Sequence, residues 1–349
     1  MIQTDAQLAE LLPKLTHVDR VAVDTEADSL HCYFEKLCLI QISVPGHDNL
    51  VDPLANFDLA PLANALTSKE IVLQGADFDL RLLRRSLGFV ATRIFDTVIA
   101  ARLIGIRSFS LAALVEQFFG VTLVKGSQKA NWARRPLPKH MAEYALNDTR
   151  YLLPLAQKLE DGLRERGRLE WFRQSCERAL EQASIQRLRD DEEAWRISGS
   201  GKLGGKASAV LRELWHWRDK EAQATDRPSF HILQNHFLLS AAEQFTAGEV
   251  PDYRHFSPRR RQGFREAAER GLALPESEWP VRLRRGGTRP TREMERAAEE
   301  LRRRRDAVAD VHGLEPSLIA PRGAIDAVVA DESCSESLLA PWQRSLLEL

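Results

Sequence analysis

Four carboxylates and a tyrosine stand at spacings that could do chemistry. Asp24 and Glu26 are two apart at the end of the apolar run Val21-Ala22-Val23. Strand alternation projects both from one face. Charge placed there is costly to desolvate unless a cation or water meets it. The alternative is that Asp24-Thr25-Glu26 simply opens a polar loop. Tyr144 and Asp148 are four apart in a stretch that follows Pro138 and reads as a helix, so they stack on one face. A surface tyrosine with a solvated aspartate is the alternative here. Asp77 and Asp79 follow Gly75-Ala76 at the start of an amphipathic stretch bearing Leu80, Leu83 and Leu87. Either aspartate could be an N-cap. Asp77 is read as the cap and Asp79 as the ligand, because Asp79 directly precedes the buried Leu80. Carboxylates gathered without His or Cys suit hard cations such as Mg²⁺ or Mn²⁺. Two such ions ~4 Å apart can activate a water and stabilise the leaving oxygen of a phosphoryl displacement. A tyrosine hydroxyl nearby could orient the attacking water.

These side chains need a scaffold, and the hydrophobic pattern predicts one. Val21–Asp24, Leu37–Val44 and the short Asn49–Pro53 read as three strands, the second broken by Pro45-Gly46-His47-Asp48. Glu70–Gln74 and Arg93–Thr97 read as further strands separated by a helix that closes at Gly88, and Val98 to about Arg189 is mostly helical. Three meandering strands followed by alternating helix and strand predict an α/β domain with a mixed sheet. Gly199–Lys206 is Gly-rich and marks a boundary, after which two helical units follow. Those units look like a divergent repeat. Arg218-Asp219-x-x-Ala222 … Pro228-Ser229 recurs as Arg305-Asp306-x-x-Ala309 … Pro316-Ser317, although few positions match.

Composition narrows the field. The 349 residues carry 49 Lys+Arg against 50 Asp+Glu, with ordinary apolar content, so wholesale disorder is excluded. No apolar run approaches the ~18 residues that cross a bilayer. The N-terminus lacks the pattern of a secretory signal, and four scattered cysteines fit reduced thiols; a cytoplasmic location is expected. Residues 281–305 hold ten Arg against four Glu, a basic segment that suggests an anionic partner or a solvated helix face.

Val23-Asp24-Thr25-Glu26, Gly75–Leu80, Phe95-Asp96-Thr97 and Tyr144-Ala145-x-x-Asp148 resemble, in order, the motifs of the DEDDy 3′→5′ exonucleases, above all those of the ribonuclease D family. Leu37–Ile42 is similar to that family's second strand. Lys125 … Gln128-Lys129-Ala130-Asn131-Trp132-x-x-Arg135-Pro136-Leu137 is similar to the segment before its third motif. Leu211-Arg212-x-Leu214-x-x-Trp217-Arg218-Asp219-x-x-Ala222 … Asp226-Arg227-Pro228 … Ile232-Leu233 resembles the HRDC domain.

The resemblance implies an RNase H-like exonuclease domain over 1–198, a linker at 199–206, an HRDC domain over 207–280 and a second, degenerate HRDC-like domain over 281–349. It makes Asp24, Glu26, Asp79 and Asp148 the ligands of two divalent ions, with Tyr144 holding the nucleophilic water and Asp96 structural. Gln74 stands where the family often has His, which leaves a minor positioning role open. Thr25, His31 and Tyr33, with Phe34, fall where a terminal nucleotide would sit, or they pack a loop. Lys125, Lys129 and Arg135 could meet phosphates, or be surface charges. The implied activity is 3′→5′ exoribonucleolysis of RNA with a free 3′ end, tRNA precursors above all, releasing nucleoside 5′-monophosphates. No membrane and no obligate protein partner are implied. A DNA-directed exonuclease and a catalytically silent nucleic-acid-binding scaffold remain as alternatives.

Overall fold

The structure, a computed structural model, describes the chain except residues 124–125, 186–189, 191 and 283–289. It opens with α1 (Asp5–Thr16), capped by Thr4, and passes into β1 (Arg20–Ala27), β2 (Leu37–Val44) and β3 (His47–Val51). Then come α2 (Ala60–Thr67), β4 (Glu70–Leu73), α3 (Asp77–Leu87), β5 (Arg93–Asp96), α4 (Thr97–Leu103), α5 (Leu111–Phe119), α6 (Lys139–Arg150), α7 (Leu152–Glu165) and α8 (Leu169–Ser184). The helices α9 (Gly205–Ala224), α10 (Ser229–Ile232), α11 (Asn235–Thr246) and α12 (Pro258–Ala273) follow. The chain ends in α13 (Arg292–His312), α14 (Pro316–Ile319), α15 (Arg322–Ala330), α16 (Ser335–Leu338) and α17 (Pro341–Leu347).

The sheet order is β3-β2-β1-β4-β5, with β1 in the middle. Its meander side is antiparallel, while β1, β4 and β5 run parallel, which is the mixed sheet expected. Every residue of β2 is buried, the polar Gln41 and Ser43 included, as a central strand covered on both faces requires. Because Ala22 pairs with Val72, β4 runs out close to where β1 reaches Asp24, and the chain turns into α3 there. Helix α6 lies against β1, β2 and β3, burying Met141, Ala145 and Thr149. Thr149 Oγ1 and Ser43 Oγ are 2.8 Å apart and fix the helix to β2.

Packing groups the chain differently from its linear order. Residues 1–27, 36–186 and 289–349 form one compact unit; 28–35 and 187–288 form another. In the first unit Ala309, Leu314, Ile319, Trp342 and Leu347 share one apolar core with the sheet. Arg168, buried, donates to Leu103 O and His312 O, both at 2.6 Å, and Trp342 stacks on Trp171 with centroids 5.0 Å apart. In the second unit Trp195 is buried with Val210, Leu214, Trp217 and Phe264, so the stretch before the Gly-rich segment packs with the helices after it. The Gly-rich stretch itself forms a short 3₁₀ turn, Ser200–Lys202, and opens α9 at Gly205. Residues 28–35 join this second unit through Asp226, whose Oδ1 accepts from the Tyr33 and Phe34 N–H groups at 3.0 Å.

Candidate active site

Strand β1 supplies the centre of the site. Asp24 and Glu26 alternate with the buried Val23 and Thr25, and therefore project together as the period of two requires. Helix α6 brings Tyr144 and Asp148 to the same place from across the sheet. Carboxylate oxygens of Asp24, Glu26 and Asp148 lie within 4.8 Å of one another. Asp79, at the third position of α3, is 5% exposed and accepts a hydrogen bond from the Thr25 hydroxyl at 2.5 Å. It stands outside that tightest group of three, but its charge acts on all three members.

The electrostatics follow from burial and like charge. Burial, then Asp148 and Asp79, pushes the Glu26 carboxyl up to about 9. Burial, then Asp79, lifts Asp148 to about 7. Asp79 rises to about 6 through burial, against the opposing hydrogen bonds from Thr25. Asp24 is held well above the carboxylate range by burial and then by Asp79, Asp148 and Glu26. The charges that weigh most on each are other carboxylates. An all-oxygen donor set in that state fits a hard divalent ion. The Tyr144 hydroxyl is raised by burial and by the same carboxylates, which keeps it protonated and able to donate.

Several sequence-predicted residues turn out to be occupied elsewhere. Asp77, read as the cap of α3, is the first residue of the helix; its exposed carboxylate pairs with Arg81 at 2.7 Å. Arg135, read as a possible phosphate contact, spends its guanidinium internally: it pairs with Asp52 through Nε and one terminal nitrogen, and donates to Cys38 O and Trp132 O. Tyr33 donates its hydroxyl to Asp219 at 3.0 Å and accepts from Gln223, so its polar end is engaged. Thr25 is buried against Asp79. Gln74 accepts from the Thr97 hydroxyl and donates to Phe109 O at 2.8 Å. One donor and one acceptor is what a neutral imidazole also offers. Lys125 lies outside the described residues.

Gln41 was missed. Fully buried in β2 and paired in register with Asp24, it donates to Asp24 Oδ2 at 3.3 Å. A lone amide in an apolar strand was the available signal.

Residues 1–164 match the family described as 3′-5′ exonuclease, and residues 207–247 match the HRDC domain. Ribonuclease D of Sphingobium indicum is 31% identical over 247 residues, 69% of this chain; the chain spans 63% of that relative's length. Ribonuclease D of Nitrobacter hamburgensis is 28% identical across 99% of this chain and 92% of its own. The crystal structure of Escherichia coli RNase D, described as an exoribonuclease involved in structured RNA processing, superposes with a TM-score of 0.73 at 25% identity, covering 100% of this chain and 98% of that one. The mixed sheet, the carboxylates it gathers and the two matched regions define a 3′→5′ exonuclease fold with an HRDC module. Within that class, the chain belongs to the ribonuclease D family.

Proposed function

We propose that this chain is a divalent-metal-dependent 3′→5′ exoribonuclease of the cytoplasm. It would trim RNA with a free 3′ end, tRNA precursors among them, and release nucleoside 5′-monophosphates. The observation that carries this reading is the group of three carboxylates with oxygens within 4.8 Å, one helical turn from a protonated tyrosine. Two Mg²⁺ or Mn²⁺ ions held by Asp24, Glu26, Asp79 and Asp148 would supply an activated water and neutralise charge on the leaving oxygen. Glu26 and Asp148 would give up their protons to serve as ligands. Tyr144 holds the water by its hydroxyl. A cavity of about 240 Å³ opens beside Tyr144 and Asp148, walled by Ser110, Leu111, Gln128 and Asn147, with room for part of a nucleotide. His31 and Lys129 are assigned to the RNA strand on the family likeness.

The C-terminal helices are proposed as a degenerate HRDC copy. Matched hydrogen bonds support this: Arg218 donates to Leu233 O at 2.9 Å, and Arg305 donates to Ala320 O at 3.0 Å, fifteen residues on in both cases. In each copy the arginine sits on the long helix, and the carbonyl follows the short helix α10 or α14. Among the described residues no helix is long and apolar enough to cross a membrane.

Matched 5′-labelled RNA and DNA strands, incubated with wild type and Asp148→Asn, test the activity. RNA shortened from its 3′ end in Mg²⁺ or Mn²⁺, abolished by EDTA and by the substitution, is the expected result. Equal trimming of DNA would convert the reading to a general exonuclease. Binding without cleavage of either strand would leave a silent scaffold.

A further inference from the structure

Helix α3 carries Asp79 but has no capping side chain of its own, since its N-cap position is Ala76. The residues leading into it are held from another strand. Asp96 closes β5 and caps α4 through Oδ1, which accepts from Val98 N–H at 2.8 Å and from Ile99 N–H at 3.3 Å. The same carboxylate reaches across to the turn after β4: Oδ1 accepts from Gly75 N–H at 3.2 Å and Oδ2 from Ala76 N–H at 2.8 Å. Next to it, the Thr97 hydroxyl shares its one proton between Leu73 O, at 2.9 Å, and the Gln74 side-chain oxygen. Asp96 is 4% exposed, so water cannot readily replace it as acceptor for these four donors.

One buried carboxylate thus fixes two helix entrances, and Asp79 lies three residues beyond the second. We propose that Asp96 is a positioning residue for the metal site, setting where α3 begins and hence where the Asp79 carboxylate stands relative to Asp24, Glu26 and Asp148. The inference rests on reading those four carboxylates as metal ligands. Groups that orient ligands from behind commonly govern metal affinity as well as stability.

Two substitutions separate positioning from plain capping. Ser at an N-cap can still serve α4, but it is too short to span to Gly75 and Ala76. Asp96→Ser therefore keeps the local cap and releases the turn. Asp96→Asn keeps the shape but turns an NH₂ toward at least one of the four N–H groups. Mn²⁺ binding to the full chain, read by electron paramagnetic resonance, is measured for wild type and both variants beside thermal melts and RNA kinetics. Both variants are expected to bind Mn²⁺ roughly tenfold more weakly. The KM for RNA should stay within about twofold, and added Mn²⁺ should recover part of kcat. If Asp96→Asn fails to fold, Asp96→Ser decides. Wild-type Mn²⁺ affinity in a folded variant, whatever its Tm, would reduce Asp96 to a helix cap. A wild-type chain that binds no Mn²⁺ would instead overturn the metal reading itself, and the positioning role with it.

Discussion

A carboxyl held at about 9, as Glu26 is, cannot ligate a cation at neutral pH without losing a proton. The consequence for stability has a definite sign. In the unfolded chain a glutamate titrates near ~4.3. Between that value and about 9 the folded state keeps a proton that the unfolded state has released. Metal-free stability therefore falls as pH rises through this window. Asp148, at about 7, and Asp79, at about 6, act in the same direction over narrower windows. In EDTA the Tm should drop between about pH 5 and about pH 9, and Mg²⁺ should restore more of it at the higher pH. A Mg²⁺ effect on Tm that is equal at both pH values would contradict this. Tyr144 makes a separate prediction. Its ring lies 6.2 Å from that of Trp132, packing that phenylalanine preserves. Tyr144→Phe should lower kcat by roughly 10²-fold while Mn²⁺ affinity and the KM for RNA hold, as single-turnover kinetics would show.

At the scale of elements, the site was legible where a short-range period decides direction. Two residues apart on a strand placed Asp24 with Glu26, and four apart on a helix placed Tyr144 with Asp148. What was not legible depends on partners distant in the chain. Nothing near Ala76 reveals that Asp96, twenty residues on, holds the entrance to α3 in place of Asp77. Nothing near Arg135 reveals Asp52, eighty-three residues earlier. Burial raises the Asp52 carboxyl, yet its hydrogen bonds from Arg135 and Gln3 outweigh this and leave it below the usual range. That pairing changes what a mutation should do. Arg135→Met strands a carboxylate that is 2% exposed and should cost about 3 kcal/mol in denaturant unfolding. The salt dependence of RNA binding should stay as in wild type. A phosphate contact would show the reverse pattern, with stability kept and the salt slope reduced by about one.

At the scale of the whole molecule, the C-terminal helices have two readings with opposite outcomes. Taken along the sequence, they are an appended, Arg-rich unit that meets nucleic acid. Yet several of its described arginines are used internally: Arg302 faces Glu299 and Asp326, Arg304 binds Leu347 O and Glu348, and Arg305 binds Ala320 O. Arg284, Arg285 and Arg289 lie outside the described residues. The last sixty residues also share the exonuclease core, an arrangement that no local pattern announces because the contacts join α8 to helices more than a hundred residues later. Trp342 is the test point, being 4% exposed, stacked on Trp171 and donating to Ser175 Oγ at 3.0 Å. Trp342→Ala should cost about 3–5 kcal/mol. Because the core is continuous, that loss should appear in the melting of the exonuclease unit itself. Removing residues 289–349 altogether should lower its Tm further or leave it insoluble, since Arg168 would lose His312 O and Trp171 would lose the ring of Trp342. An independent module would come away cleanly, with the Tm of the remainder unchanged and only the salt slope of RNA binding reduced. Thermal melts of Trp342→Ala and of the truncated chain therefore decide whether these helices are an accessory or part of the wall that holds the catalytic sheet.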